Sequence, residues 1–314
     1  MPKLKKILGA VFDGTFPEKT ERHLVQWLCG RNRSLETLAL KCRVRARLER
    51  DYRDVLEEAR PGGEGDGVVP GRVWTCWLQG MQQAPDLVQA CIESMRRNMP
   101  DREIVVVTED NLGRYLRLPG CVSAKWAAGK IPPAHYSDII RCALLCRHGG
   151  TWCDATVLCT APGLPAFAAG LPLFAFREFD LARTDDAPIL ASSWFLSAAR
   201  PGHPILETAL QLLYAYWQRE NALRHYFLFH LFFAMAARRH PDEWARVPRF
   251  NNHGPHTLMF ELGDAFSWQR WEQILAVSDI HKLNRHLAFD GNTDTFYRHV
   301  LEEYLPRTET KGKP

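Results

Sequence analysis

An α/β fold with a mainly parallel sheet is what the sequence predicts, because β-branched runs and amphipathic helical stretches alternate from Arg72 to Cys159. A hydrophobic share of 46% against 24% charged residues marks a globular chain rather than a disordered one. With 314 residues it can bury a substantial core, as one large domain with a small appendage.

Residues 1–60 read as helical and basic, with Arg43, Arg45, Arg47, Arg50 and Arg53 interleaved with Leu48, Tyr52 and Val55. The stretch Arg60–Gly71 is rich in Gly and Pro and reads as a linker. A first unit is therefore expected over 1–70, the main domain over 71–290, and a closing helix with a polar tail over 291–314. Within the main domain Arg72–Leu78 reads as a strand and Pro85–Asn98 as a helix with Leu87, Cys91 and Met95 on one face. Glu103–Val107 is the second strand, and Thr108–Asn111 a polar cluster able to cap the next helix. A helix over about His135–Arg147 stops at Gly149-Gly150, and a third strand runs from Thr151 to Cys159. Later come helices over about His203–Gln218 and Ala222–Arg239, a short apolar run at Val277–Ile280, and a helix over Thr293–Leu305.

Composition narrows the function classes. A net charge of +4 suits a phosphate-bearing partner but falls short of a nucleic-acid binder, and residues 31–60 lack the aromatic-interleaved basic groove such a binder needs. Nine scattered cysteines without a C-x-x-C pair argue against both a zinc site and a disulfide framework. Met1–Ala10 has too short an apolar run for a signal peptide, and Phe227–Ala237 is shorter than the ~20 residues that span a bilayer. A cytoplasmic protein is expected. Its basic residues 1–60 are read either as a helical cap or as a peripheral contact with the inner face of an anionic membrane.

The chemistry concentrates in two adjoining blocks. Asp138 and Arg141 share one helix face. Alone they read as a surface ion pair of little worth, but the helix around them is apolar, so buried charge there needs partners or a purpose. Gly149-Gly150 permits a tight turn and close approach of another molecule. Asp154 then interrupts an apolar strand, where a carboxylate can bind a hard divalent cation or cap a loop. Trp74 and Trp77 are three apart and face opposite sides, one toward the core and the other free to stack on a base. Trp194 reads as packing or as an acceptor-side residue, and His230 as a core histidine.

The order Ser137-Asp138-x-x-Arg141, then Gly149-Gly150-x-Trp152-x-Asp154-Ala155-Thr156, resembles the capsular polysaccharide synthesis proteins related to glycosyltransferase family 32, the group with a DXD-type sugar-binding region. Val73–Gly80, Glu103–Asn111, Asn251-Asn252 with Gly254-Pro255-His256, and Ser278–Leu283 extend the likeness over roughly residues 72–285. The resemblance implies a GT-A-like, Rossmann-type nucleotide-sugar-binding domain with added helices. It implies a transferase of hexosyl type that moves sugar from a nucleotide-diphosphate donor to a saccharide or lipid-linked acceptor, retaining anomeric configuration. Carried over, Asp138, Arg141 and Asp154 are the catalytic residues. Trp77, Gln79, Thr108, Gly149, Gly150 and Lys282 join Asp138 and Arg141 in binding the donor. Asp154 and His281 hold a divalent cation, Mn²⁺ or Mg²⁺. Thr156 stands where a second Asp is expected, which weakens that cation site and leaves a catalytically inactive nucleotide-sugar-binding protein as the alternative. An inverting reaction would instead need a general base, for which Glu178, Asp185 and Asp186 are the candidates.

Overall fold

The protein is described as a computed structural model over residues 26–30, 32–60, 71–177, 187–286 and 294–305. Most of the Gly/Pro-rich linker, the base candidates Glu178, Asp185 and Asp186, and the polar tail lie outside the described residues.

Two helices come first. α1 (Arg33–Asp51) starts at Asn32, whose side-chain oxygen accepts the N–H groups of Ser34 and Leu35 at 3.0 and 3.2 Å, donors that a helix start otherwise leaves open. α2 (Arg53–Glu58) comes directly after it. β1 (Arg72–Cys76) begins the central sheet, and α3 (Asp86–Asn98) crosses from it to β2 (Glu103–Val107), parallel to β1 with Val73 opposite Ile104. The chain returns through α4 (Leu112–Tyr115), α5 (Gly120–Ala127) and α6 (Pro133–His148) to β3 (Gly150–Cys153), parallel to β1 on its other side. The connections thus diverge to either side of β1. A crevice opens beyond the carboxyl ends of β1 and β3, where open α/β sheets take their ligands.

β4 (Val157–Cys159) leaves this sheet. β5 (Leu173–Arg177) and β6 (Ala191–Ala198) complete it in the order β2-β1-β3-β6-β5. Next in the chain are the helices α7 (Pro204–Arg219), α8 (Leu228–Arg239), α9 (Pro241–Arg246), α10 (His253–Glu261) and α11 (Trp268–Leu275). β7 (Ile280–Lys282) pairs antiparallel with β4, and α12 (Phe296–Tyr304) is the last described helix.

The fold is of the expected α/β class, but the sheet is half antiparallel: β6 runs against both β3 and β5. The single strand expected over Thr151–Cys159 is two strands in different sheets. Asp154 donates its N–H to the Trp194 carbonyl and Val157 its own to the Asp154 carbonyl, both at 2.9 Å, which turns the chain out of the sheet. The helix expected from Ala222 begins at Leu228.

One core joins the first helices to the rest. Leu48 and Tyr52 are 1% exposed and belong to the same apolar cluster as Trp74, Trp217 and Phe232. The Tyr52 ring lies 5.9 Å from Tyr216 on α7 and 5.5 Å from Phe232 on α8. Residues 32–60 are therefore built into the main body through its apolar interior.

The Gly149-Gly150 turn is a packing requirement. Gly150 has φ +92, and a Cβ there would stand 2.8 Å from the Arg72 carbonyl oxygen and 3.1 Å from the Trp74 indole nitrogen. That indole N–H donates to the Gly149 carbonyl at 2.9 Å, fixing the chain reversal between α6 and β3. Gly150→Ala is expected to cost about 2–4 kcal/mol through strain and clash, read as a lowered denaturation midpoint. A midpoint equal to wild type would mean the backbone reaches β3 by another path.

Candidate active site

The crevice beyond β1 and β3 is a cleft of about 480 Å³. After β1 the chain supplies Trp77 and Gln79, after β3 it supplies Asp154, and β7 supplies Lys282. α6 runs beneath, opened by Pro133 at a position where the missing N–H costs nothing. It is buried on nearly every side, so Asp138 and Arg141 lie in the interior with the cleft as their opening.

Arg141 binds these elements together. One guanidinium nitrogen donates to Asp138 Oδ1 at 2.6 Å, the other to Asp154 Oδ1 at 2.8 Å. Trp152 donates its indole N–H to the same Asp154 oxygen at 2.9 Å, and the Arg141 guanidinium carbon lies 5.0 Å from the Trp152 ring centroid. Lys282 Nζ is 3.4 Å from the other oxygen, Asp154 Oδ2, and also donates to the Thr156 hydroxyl. His135 Nδ1 stands 3.4 Å from Asp138 Oδ2. Burial alone would push the Asp138 carboxyl up, but Arg141 and His135 hold it below its ordinary value. Charge-assisted bonds of this kind are short and geometrically demanding, and removing one member leaves a buried charge at a cost of ~3–5 kcal/mol.

The other expected site residues divide. Trp77 and Gln79 line the cleft, and the Arg285 guanidinium lies 5.1 Å from the Trp77 ring centroid. Trp74 is the core member of the tryptophan pair, fully buried. Thr108 caps a turn: its N–H donates to Asn111 Oδ1 at 2.8 Å and its hydroxyl accepts the Asn111 N–H at 3.3 Å. Gly149 and Gly150 are at the amino end of β3, four residues of strand away from Asp154, and do not border the cleft.

His281 is a correction. Neighbours in a strand point to opposite faces, so with Lys282 aimed at Asp154, His281 points away. It is fully buried, with Nε2 3.1 Å from the Thr160 hydroxyl, and does not join Asp154. Thr156 is neutral and already engaged by Lys282, while both oxygens of Asp154 face cations. This donor set does not fit a divalent cation held by the protein alone. Among the described residues no cluster of three His, Cys, Asp or Glu side chains is placed for a metal ion.

Several cleft residues carry no clear signal in the sequence. His230 on α8 borders it, with Nδ1 buried and without a partner among the described residues. Burial lowers the pKa of His230 to about 4. Its only sequence signal is a polar residue in an apolar helix. Arg285 and Tyr226 also border the cleft, and no local pattern marks either.

Residues 32–300, which contain every one of these cleft side chains, match the family described as capsular polysaccharide synthesis protein. The chain belongs to that family. The matched span begins at the cap of α1, so the family's extent includes the first helices as well as the sheet. No curated protein matches this capsular polysaccharide synthesis family member. Among solved structures it is similar to one named "PaToxG Glycosyltransferase", at 15% identity and TM-score 0.38, covering 64% of this chain and 79% of that one.

Burial also gives the family member a pH dependence. His281 is lowered from 6.5 to about 4 by burial. Between those values the unfolded chain binds the proton and the folded chain does not, so stability is undiminished above pH 6.5 and falls as pH drops toward 4. At about 1.4 kcal/mol per unit the loss reaches ~3 kcal/mol. His281→Asn is expected to remove its share of the slope between pH 7.5 and pH 5 in urea melts, with buried His203 and His230, lowered alike, keeping theirs. An unchanged slope would mean that His281 titrates freely in the folded protein.

Proposed function

We propose that this chain is a glycosyltransferase that moves a sugar from a nucleotide-diphosphate donor to a saccharide or lipid-linked acceptor during capsular or surface polysaccharide synthesis. The observation that carries the reading is the Asp138–Arg141–Asp154 arrangement, with Asp138 and Arg141 buried and Asp154 half-buried at the carboxyl ends of β1 and β3, in a member of the capsular polysaccharide synthesis family. A sugar presents hydroxyls in fixed directions, and a preorganised carboxylate–guanidinium pair reads them at little cost in reorganisation. Asp138 and Arg141 are assigned to the donor sugar, Asp154 to the ribose side, and Trp77 to the base. Lys282 and Arg285 are assigned to the diphosphate, whose leaving charge must be neutralised as the glycosidic bond breaks. Mn²⁺ or Mg²⁺ is proposed to arrive with the diphosphate, since both described carboxylates at the cleft, Asp138 and Asp154, are already paired with cations.

Screening a nucleotide-sugar panel for hydrolysis by mass spectrometry tests the reading. Asp138→Asn is expected to lower turnover about 100-fold while nucleoside diphosphate affinity stays within about threefold. Lys282→Ala is expected to weaken nucleoside diphosphate about tenfold. Thermal midpoints accompany both, because the ion pairs are also structural. Nucleotide-sugar binding without turnover across the panel would overturn the transferase reading in favour of a binding protein. Calorimetry is expected to detect negligible Mn²⁺ binding to the free chain, and a tight complex there would refute the assignment of the cation to the diphosphate.

Retention of anomeric configuration belongs to the same proposal. The carboxylates bordering the cleft among the described residues are Asp138 and Asp154, both held by Arg141 and neither free to take the acceptor's proton. The anomeric proton of the product, assigned by NMR, is expected to match the donor's configuration. An inverted product would require a base other than these two carboxylates, either the His230 imidazole at the cleft or a group outside the described residues.

A further inference from the structure

A second cavity, of about 820 Å³, opens from the cleft at Asp154, Lys282 and His230 and runs away toward the first helix. One wall is α1: Ser34, Thr37, Leu38 and Lys41 border the cavity, and their i, i+3, i+4, i+7 spacing is a single helical face. The facing wall holds Trp194 and Asn252.

Two independent features of this cavity point to a ligand. Trp194 is 5% exposed, yet its indole N–H has no partner among the described residues. Its ring is held rigidly, stacked on Phe176 at 4.8 Å and 15°. A buried donor left open beside a cavity is costly unless something enters to accept it. The second feature is charge. Arg33 and Lys41 border the cavity, and neither has a carboxylate partner among the described residues; Lys41 lies 4.4 Å over the Phe227 ring. Among the described residues the one acid on the cavity wall is Asp154, already held by Arg141. From Arg33 to Lys41 the helix extends ~12 Å, so the positive charge forms a stripe leading out from the transfer point.

Resting on the transferase reading, we infer that this cavity is the acceptor site and that it takes a saccharide bearing a phosphate. The reacting sugar lies at Asp154 and Lys282 with a hydroxyl accepting the Trp194 N–H. The phosphate lies along α1 against Arg33 and Lys41, where the aromatic and apolar surroundings strengthen its attraction to the cations. The first helices are then the acceptor half of the site.

The test titrates the full chain by calorimetry, with nucleoside diphosphate saturating the donor cleft. The probes are a panel of hexose and N-acetylhexosamine 1-phosphates, the matching free sugars, and the farnesyl diphosphate ester of the best sugar. At least one 1-phosphate is expected to bind about tenfold tighter than its free sugar. The double variant Arg33→Ser/Lys41→Ser is expected to remove that difference while its thermal midpoint stays at the wild-type value. Trp194→Phe keeps a ring but loses the donor, and is expected to weaken phosphorylated and free sugar alike, about tenfold. Tighter binding of the farnesyl ester than of the 1-phosphate identifies a lipid-borne acceptor, and equal binding a soluble sugar phosphate; both support the site. The proposal is overturned if no 1-phosphate binds, if the double variant leaves the difference unchanged, or if nucleoside diphosphate displaces the probe. Donor hydrolysis is measured separately. Its absence with the probe still bound sinks the transferase reading, whereas hydrolysis without probe binding sinks the acceptor site.

Discussion

Arg141 is the residue around which the rest of the site is arranged. A guanidinium presents a planar fork of donors, and here its two terminal nitrogens reach carboxylates from different elements, one on α6 and one just past β3. Burying Asp138 and Arg141 and half-burying Asp154 is tolerable only because each charge is met at hydrogen-bond distance. The arrangement therefore ties helix to sheet and holds the cleft's charged floor in one geometry. That rigidity has an energetic source: the low dielectric that strengthens each bond also penalises any state in which one is broken.

The features legible in the sequence are local ones. Glu103–Val107 is a continuous β-branched run and forms a strand over those very residues. Asp138, Arg141 and Asp154 fall within a short stretch of chain whose apolar surroundings make charge conspicuous, and the fold brings them into contact. β5 and β6 escape notice because every position in them is buried, so neither alternates, and β6 is built largely from Ala and Ser, which carry little strand signal. Without them the sheet looks more parallel than it is. The Gly149-Gly150 turn stands out in the sequence as a special backbone position, but its cause is the crowding of Arg72 and Trp74 rather than a ligand.

Long-range residues are the least legible. Arg285 and His230 reach the cleft only through tertiary packing, and no spacing rule connects them to Asp138. The first helices look separate from the main domain because a Gly/Pro-rich stretch comes after them. Composition of a connection, however, says nothing about where the connected helix docks, and Tyr52 docks in the main core. Tyr52 thus fixes the position of a helix whose other face borders a cavity, so one aromatic anchor serves packing and site shape together.

The small ribbon of β4 and β7 carries a sensitivity of its own. Lys282 meets Asp154 because β7 pairs in the register Val157 to Lys282, Leu158 to His281 and Cys159 to Ile280. A slip of one residue exchanges the two faces of the strand. His281 would then be turned toward Asp154 and the ammonium driven into the buried space beside Thr160. A single-residue insertion or deletion in the turn before Ile280 would thus take the Lys282 cation out of the cleft and leave a neutral imidazole in its place, without any substitution in β7. The length of that loop is under as strict a physical constraint as the identity of the lysine it delivers.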